Sequence, residues 1–234
     1  MKVKVSYQTL QLPPPHSFAY TLEMNFHADH IDIVYDLEFL NRDEVTDEEL
    51  EEEGYTKDDN FQWKGSLGQV WVNDLKDDIL DVELEEESED FNTYLHFEIE
   101  TGEETMDGLA VLAEDWDYRL QEVIQAIYEK AGIESKLMVK FINKDGAASE
   151  YFELTASFEH QTTEVNKKSI TWEQLHELMS DMYVINFEEE PQDNPDKNGL
   201  WIDPDGQSGY QLFDAQAGPK ANKIKSRILS LLSV

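Results

Sequence analysis

The side chains of this chain that are spaced to do chemistry mostly carry oxygen. In Asn194-Pro-Asp196-Lys-Asn198-Gly199-Leu-Trp201-Ile-Asp203-Pro-Asp205, oxygen ligands stand at alternate positions, with Gly at the sixth and an acid at the twelfth. That is the spacing by which a calcium loop wraps a hard cation. Asn194, Asp196, Asn198 and Asp205 are the candidate ligands, and calcium is the one cofactor the sequence suggests. The departures are a first ligand that is Asn, a Pro directly after it, an Asp where a bidentate Glu is usual, and no apparent flanking helix pair. A cluster of Pro, Asn, Asp and Gly is first of all a loop, so any ion held here is expected to be bound weakly or for structural reasons.

Nitrogen ligands offer a second pattern. Asn25-Phe-His27-Ala-Asp29-His30 is similar to the H-x-H-x-D-H motif of the metallo-β-lactamase superfamily, with Asn in place of the first His. That resemblance implies further His or acidic ligands on later strands around a buried site, and His96, His160 and His176 stand in no such context. Two neighbouring imidazoles arise easily by chance, whereas zinc needs three or four convergent ligands. Residues 27–30 are therefore expected to form a solvated hairpin turn. General acid and base chemistry needs only two carboxyls in a cleft, but with 52 Asp and Glu almost any pair can be nominated. The sequence holds no G-x-S-x-G, P-loop, G-x-G-x-x-G or H-E-x-x-H. A hydrolase-like enzyme with an unlocated Asp/Glu pair is the alternative to a non-enzymatic reading.

The elements that would position these residues read as follows. Residues 2–10 and 17–26 alternate apolar and polar around Pro13-Pro14-Pro15, and Ile31, Ile33, Tyr35, Leu37 and Phe39 share one face of a third strand, which makes an antiparallel meander. Thr46-Asp-Glu-Glu49 is a capping box that opens a short helix ending at Gly54, with Val45 stapling onto Leu50. Phe61 to Trp71 and Tyr94 to Ile99 read as further strands, with 83–90 as loop or edge between them. Leu112, Trp116, Leu120, Val123, Ile124, Ile127 and Tyr128 mark a helix that stops at Gly132. From Leu137 the pattern restarts: alternation, the turn Asn143-Lys-Asp-Gly146, a return strand, and a second capping box at Thr171-Trp-Glu-Gln174.

The fold class is thus α+β, with two similar halves, 1–134 and 135–234, each an antiparallel sheet with two helices. Collinear short matches suggest an internal duplication: Thr46 to Leu50 with Thr171 to Leu175, Val70-Trp-Val-Asn73 with Leu200-Trp-Ile-Asp203, and Tyr94-x-x-Phe97 with Tyr210-x-x-Phe213. The plain alternative is that any two α+β halves share such matches by chance.

Charge supplies the remaining signal. Eighteen basic against 52 acidic side chains leave a net charge of −34, with 11% aromatic residues and no cysteine. Nucleic acid and anionic membrane are excluded as direct partners, since both are recognised by clustered Lys and Arg. Disulfides and thiolate sites are absent, the aromatic content argues against disorder, and a start without an apolar run makes the cytoplasm the default location. Residues 43–53 hold eight acids in eleven, 83–90 hold six in eight, and Glu188 to Glu190 form another cluster. Lys220, Lys223, Lys225 and Arg227 lie beside Ile224, Ile228, Leu231 and Leu232 in a basic amphipathic helix expected to dock on its own acidic body. Acid runs are commonly solvated faces, but complementary fields also steer and select basic partners. The expected function is non-enzymatic binding of a basic protein, in the manner of immunity proteins, adaptors or acidic chaperones, through Asp47, Glu48, Glu51, Glu52, Glu85 and Glu86.

Overall fold

A computed structural model describes residues 1–87, 92–102, 104–111, 113–146, 148–183, 190–213 and 219–233, and of 219 and 220 the backbone alone. The chain divides into two compact units, Met1–Ala131 and Gly132–Val234. The fold is α+β, and the described residues form two antiparallel sheets of seven and six strands and five α-helices. No helix among the described residues is long and apolar enough to cross a membrane.

In the first unit, β1 (Lys2–Thr9), β2 (Phe18–Phe26) and β3 (His30–Phe39) form the meander. Alternation decides which face is buried: Val3, Val5, Tyr7, Leu22, Met24, Ile31, Ile33 and Tyr35 are all buried, while Lys2, Glu23, Asp32 and Asp36 between them face solvent. α1 (Asp47–Glu52) follows, then β4 (Phe61–Gly68), α2 (Gln69–Leu80), the edge strand β5 (Leu84–Glu85), β6 (Thr93–Glu100), β7 (Thr105–Ala110) and α3 (Ala113–Ala131). The sheet order is β4-β3-β2-β1-β6-β7-β5. Packing of α2 on β3 and β4, and of α3 on β4 and β6, covers the apolar face.

The expected strand from Phe61 to Trp71 is too long. The chain leaves β4 after Gly68, and Trp71, Val72, Leu75 and Ile79 become the buried stripe of α2. Leu112, assigned to the next helix face, and the acids at 89 and 90 lie outside the described residues.

The second unit runs β8 (Leu137–Asp145), β9 (Ala148–Ser157), β10 (Thr162–Val165), β11 (Lys168–Ile170), α4 (Trp172–Tyr183), β12 (Gly199–Asp203), β13 (Gln211–Leu212) and α5 (Pro219–Leu232). Its sheet order is β11-β10-β9-β8-β12-β13. Ile224, Ile228, Leu231 and Leu232 of α5 join Leu175, Leu178 and Met182 of α4 in one core over this sheet. Arg227 forms a two-point ion pair with the buried Asp181 of α4, so the basic helix docks by its apolar stripe and pairs one cation locally.

The two sheets share their order in part. β1 to β4 and β8 to β11 each step outward consecutively, a helix follows, and β6-β7 or β12-β13 lie on the first strand's other side before a final helix, but the first sheet adds β5 at its edge. The short sequence matches do not follow it. α1 lies between the third and fourth strands whereas α4 follows the fourth; Val70 to Asn73 are helical where Leu200 to Asp203 are a strand. Tyr94 to Phe97 belong to the inner strand β6, whereas Tyr210 to Phe213 surround the edge strand β13. The expectation of two helices in each half is also corrected, because the first unit holds three and the second two.

Candidate functional site

The acidic face is held out by one short helix. In α1 the Thr46 hydroxyl accepts from the Glu49 amide at 3.3 Å and the Glu49 carboxylate accepts from the Thr46 amide at 3.0 Å, as the capping box requires. Leu50 is its one buried side chain, so Asp47, Glu48, Glu51 and Glu52 all face solvent. Of these, Asp47 meets Lys57 at 2.7 Å. Beside them Pro14, Pro15, Glu44, Val45, Glu49, Glu52 and Glu53 line an open hollow of about 430 Å³. The second acidic stretch is placed by β5, whose Glu85 is exposed, as is Glu86 after it. β7 supports this edge at Gly108, where a Cβ would stand 2.9 Å from the Glu85 carbonyl oxygen.

An anchor the sequence did not disclose fixes the acidic segment. Arg42 is buried, ion-pairs with Asp59, and donates to the carbonyls of Pro15 at 3.3 Å and Thr56 at 2.5 Å. The Thr56 hydroxyl and amide, and then Arg42, hold the Asp59 carboxyl below its ordinary value.

The four proposed calcium ligands are all exposed, and two have other engagements. Asn198 accepts from the Gly146 amide at 3.0 Å. Asp205 caps its own turn, accepting from the amides of Gln207 at 2.8 Å and Ser208 at 2.7 Å and from the Ser208 hydroxyl, which drives its carboxyl far down. The loop carbonyls of Pro195 and Lys197 accept from Lys144 Nζ at 2.7 Å and Trp201 Nε1 at 3.0 Å. Nearby Asp203 is buried, with one carboxyl oxygen lacking a hydrogen-bond partner; burial and the adjacent Asp205 push it up.

Among the described residues, the group of His, Asp or Glu ligand atoms that does converge is His27, His30 and Asp32, all within 4.8 Å of one another. Hairpin parity explains it. Asn25 and Asp32 are directly opposed in the β2–β3 register, so Asn25 and His27 on one arm share the solvent face with His30 and Asp32 on the other. The turn closes with the His27 amide donating to the His30 carbonyl at 2.9 Å. The two imidazoles stack at 4.4 Å and 13°. Nε2 of His27 lies 3.0 Å, and Nε2 of His30 3.5 Å, from oxygens of Asp32. Nδ1 of His30 meets Asp29 at 2.7 Å, and that contact holds the Asp29 carboxyl below its ordinary value.

Residues 27–30 are the solvated turn the alternation implied, yet the third ligand stood two residues on. His30 and Asp32 fall on one strand face by simple alternation. The alternation that buries Ile31 and Ile33 puts His30 and Asp32 together on the opposite face, which is the signal in the sequence that marks the cluster.

Compared with protein-family models, curated proteins and solved structures, the chain returns no match.

Proposed function

We propose that this chain is a non-enzymatic binding module whose first unit presents an acidic face to a basic protein partner. What carries the reading is the division of charge. Residues 1–131 hold 35 acidic and 8 basic side chains, a net of −27, whereas residues 132–234 hold 17 and 10, a net of −7. A charge needed only for solubility has no cause to concentrate in one unit, while a field that steers a partner does. α1 adds exposed acids on a segment that Arg42 anchors, so the face is held in place before a partner arrives.

The test is retention of lysate proteins on the immobilised chain at low and moderate salt, then association kinetics with the retained species. One basic protein held at moderate salt, associating more slowly with the Glu48→Lys, Glu51→Lys, Glu52→Lys variant, is the expected result. Unchanged kinetics would remove that face from the reading, and a salt-labile smear would leave the charge as a solubility device.

The alternative, a hydrolase-like enzyme with a carboxyl pair, has one observation behind it. Asp203 is pushed up while its neighbour Asp205 is driven down, the separation that lets one carboxyl act as acid and another stay ionised. A hydrolytic activity lost in Asp203→Asn would favour this reading. The part of the strand order that the two sheets share, β4-β3-β2-β1-β6-β7 and β11-β10-β9-β8-β12-β13, also supports descent of the halves from one duplicated unit.

A further inference from the structure

We propose that His27, His30 and Asp32, at the tip of the β2–β3 hairpin, form a surface site for a borderline divalent cation of the zinc class. The donors come first. Two imidazoles and one carboxylate favour first-row transition metals over calcium and magnesium, which prefer all-oxygen shells. The geometry follows. His27 Nε2 lies 3.0 Å from Asp32 Oδ2 and His30 Nε2 3.5 Å from Oδ1 of the same carboxylate, each within a few tenths of an ångström of the ligand–ligand edge of about 3.3 Å in a tetrahedron with zinc bonds of about 2.05 Å. The stacked rings lie 4.4 Å apart and near-parallel, so one imidazole must turn about its Cβ–Cγ bond for both lone pairs to meet a single ion.

The outer contacts resemble those of a metal centre. His30 Nδ1 lies 2.7 Å from Asp29, and an N–H donated there leaves the Nε2 lone pair for an ion, the carboxylate–histidine–metal arrangement. His27 Nε2 also lies 3.1 Å from the Asn25 side-chain nitrogen. An amide N–H donating there requires a lone pair on Nε2, and that lone pair then faces a carboxylate oxygen 3.0 Å away. A cation between them removes the repulsion, and the amide, turned over, offers its oxygen as a further ligand.

Preorganisation makes the site inexpensive to close. Every donor sits on a hydrogen-bonded hairpin whose register runs unbroken from Phe18–Phe39 to Phe26–Ile31, so little backbone freedom is lost on binding. The strongly negative first unit also favours a cation. The rival account is a pair of imidazolium ions held by Asp29 and Asp32, which would bind no metal.

The deciding experiment is equilibrium dialysis of the full chain against micromolar Zn²⁺ in excess Mg²⁺ at physiological salt, which displaces loosely held cations from the acidic surface. Wild type should retain stoichiometric zinc. His27→Ala and His30→Ala should each weaken it at least about tenfold, and Asp29→Asn, which removes no ligand, by about tenfold through His30. Because these side chains are solvent-facing, the variants should keep the wild-type circular dichroism spectrum. Cu²⁺ paramagnetic resonance on wild type supplies a reading independent of any variant, and coupling to imidazole nitrogen is expected. Zinc retained equally by the His variants, no zinc above the Mg²⁺-competed background, or copper without nitrogen coupling would each overturn the site.

Discussion

Arg42 and Asp59 form an ion pair that closes the acidic segment between β3 and β4 onto its own base. The arginine is 4% exposed, and its guanidinium lies 3.7 Å from the ring centre of Phe39 and 4.6 Å from that of Tyr55. One side chain thus joins the end of β3, the Pro15 carbonyl and the far end of the segment that carries α1. The most acidic stretch of the chain depends on a buried cation for its shape.

Arg42→Ala should therefore destabilise the first unit by about 3 kcal/mol, since it strands Asp59 and two carbonyls and removes two cation–ring contacts. Arg42→Lys should recover less than half of that, because an ammonium cannot reproduce the planar fork or the ring stacking. Urea unfolding, read as the midpoint at constant slope, measures both.

Stability should also fall in acid at this point. The Asp59 carboxyl is held below its ordinary 3.8 by Thr56 and then by Arg42. Its contribution is present in full above 3.8 and is lost as pH falls through the lower folded value. Asp59→Asn should flatten the pH dependence of the midpoint in that window and leave it unchanged near neutrality apart from a constant offset.

In the second unit the Arg227–Asp181 pair is unequal, with side chains 48% and 6% exposed. Removing the arginine leaves a buried carboxylate without its cation, whereas removing the aspartate leaves a guanidinium that water can reach. Arg227→Ala should cost about 2 to 3 kcal/mol and Asp181→Ala about half as much, by thermal unfolding. Negligible cost for both would mean that α5 is held by its apolar stripe alone.

Gly108→Ala tests the second acidic stretch. The new methyl would meet the Glu85 carbonyl oxygen and Leu84 Cβ at 2.9 and 3.1 Å, so β5 must move away from β7 or release it. Amide exchange at Val111, whose N–H donates to the Glu83 carbonyl at 3.1 Å beside β5, should accelerate, with a global cost of about 1 kcal/mol. Unaltered exchange would show that the edge absorbs the methyl.

The sequence alone sets the elements that local physics controls. Alternation placed Ile31 to Leu37 on a buried face, the two capping boxes at Thr46 and Thr171 set helix starts, and the acid runs were visible as composition. It overran at Gly68, where an apolar pair, Val70 and Trp71, suits a strand or a helix equally until the sheet beneath chooses. It put two helices in each half, whereas the switch from strand to helix at Gly68 gives the first unit a third. Features set by packing depended on partners far apart in the chain or across a hairpin. A buried Arg42 needs Pro15 and Asp59 to accept its charge, the pull on Asp203 comes from burial that no spacing encodes, and His27 meets Asp32 because register sets which side chains face each other. Local sequence fixes where a residue can point, and long-range packing fixes what it meets there.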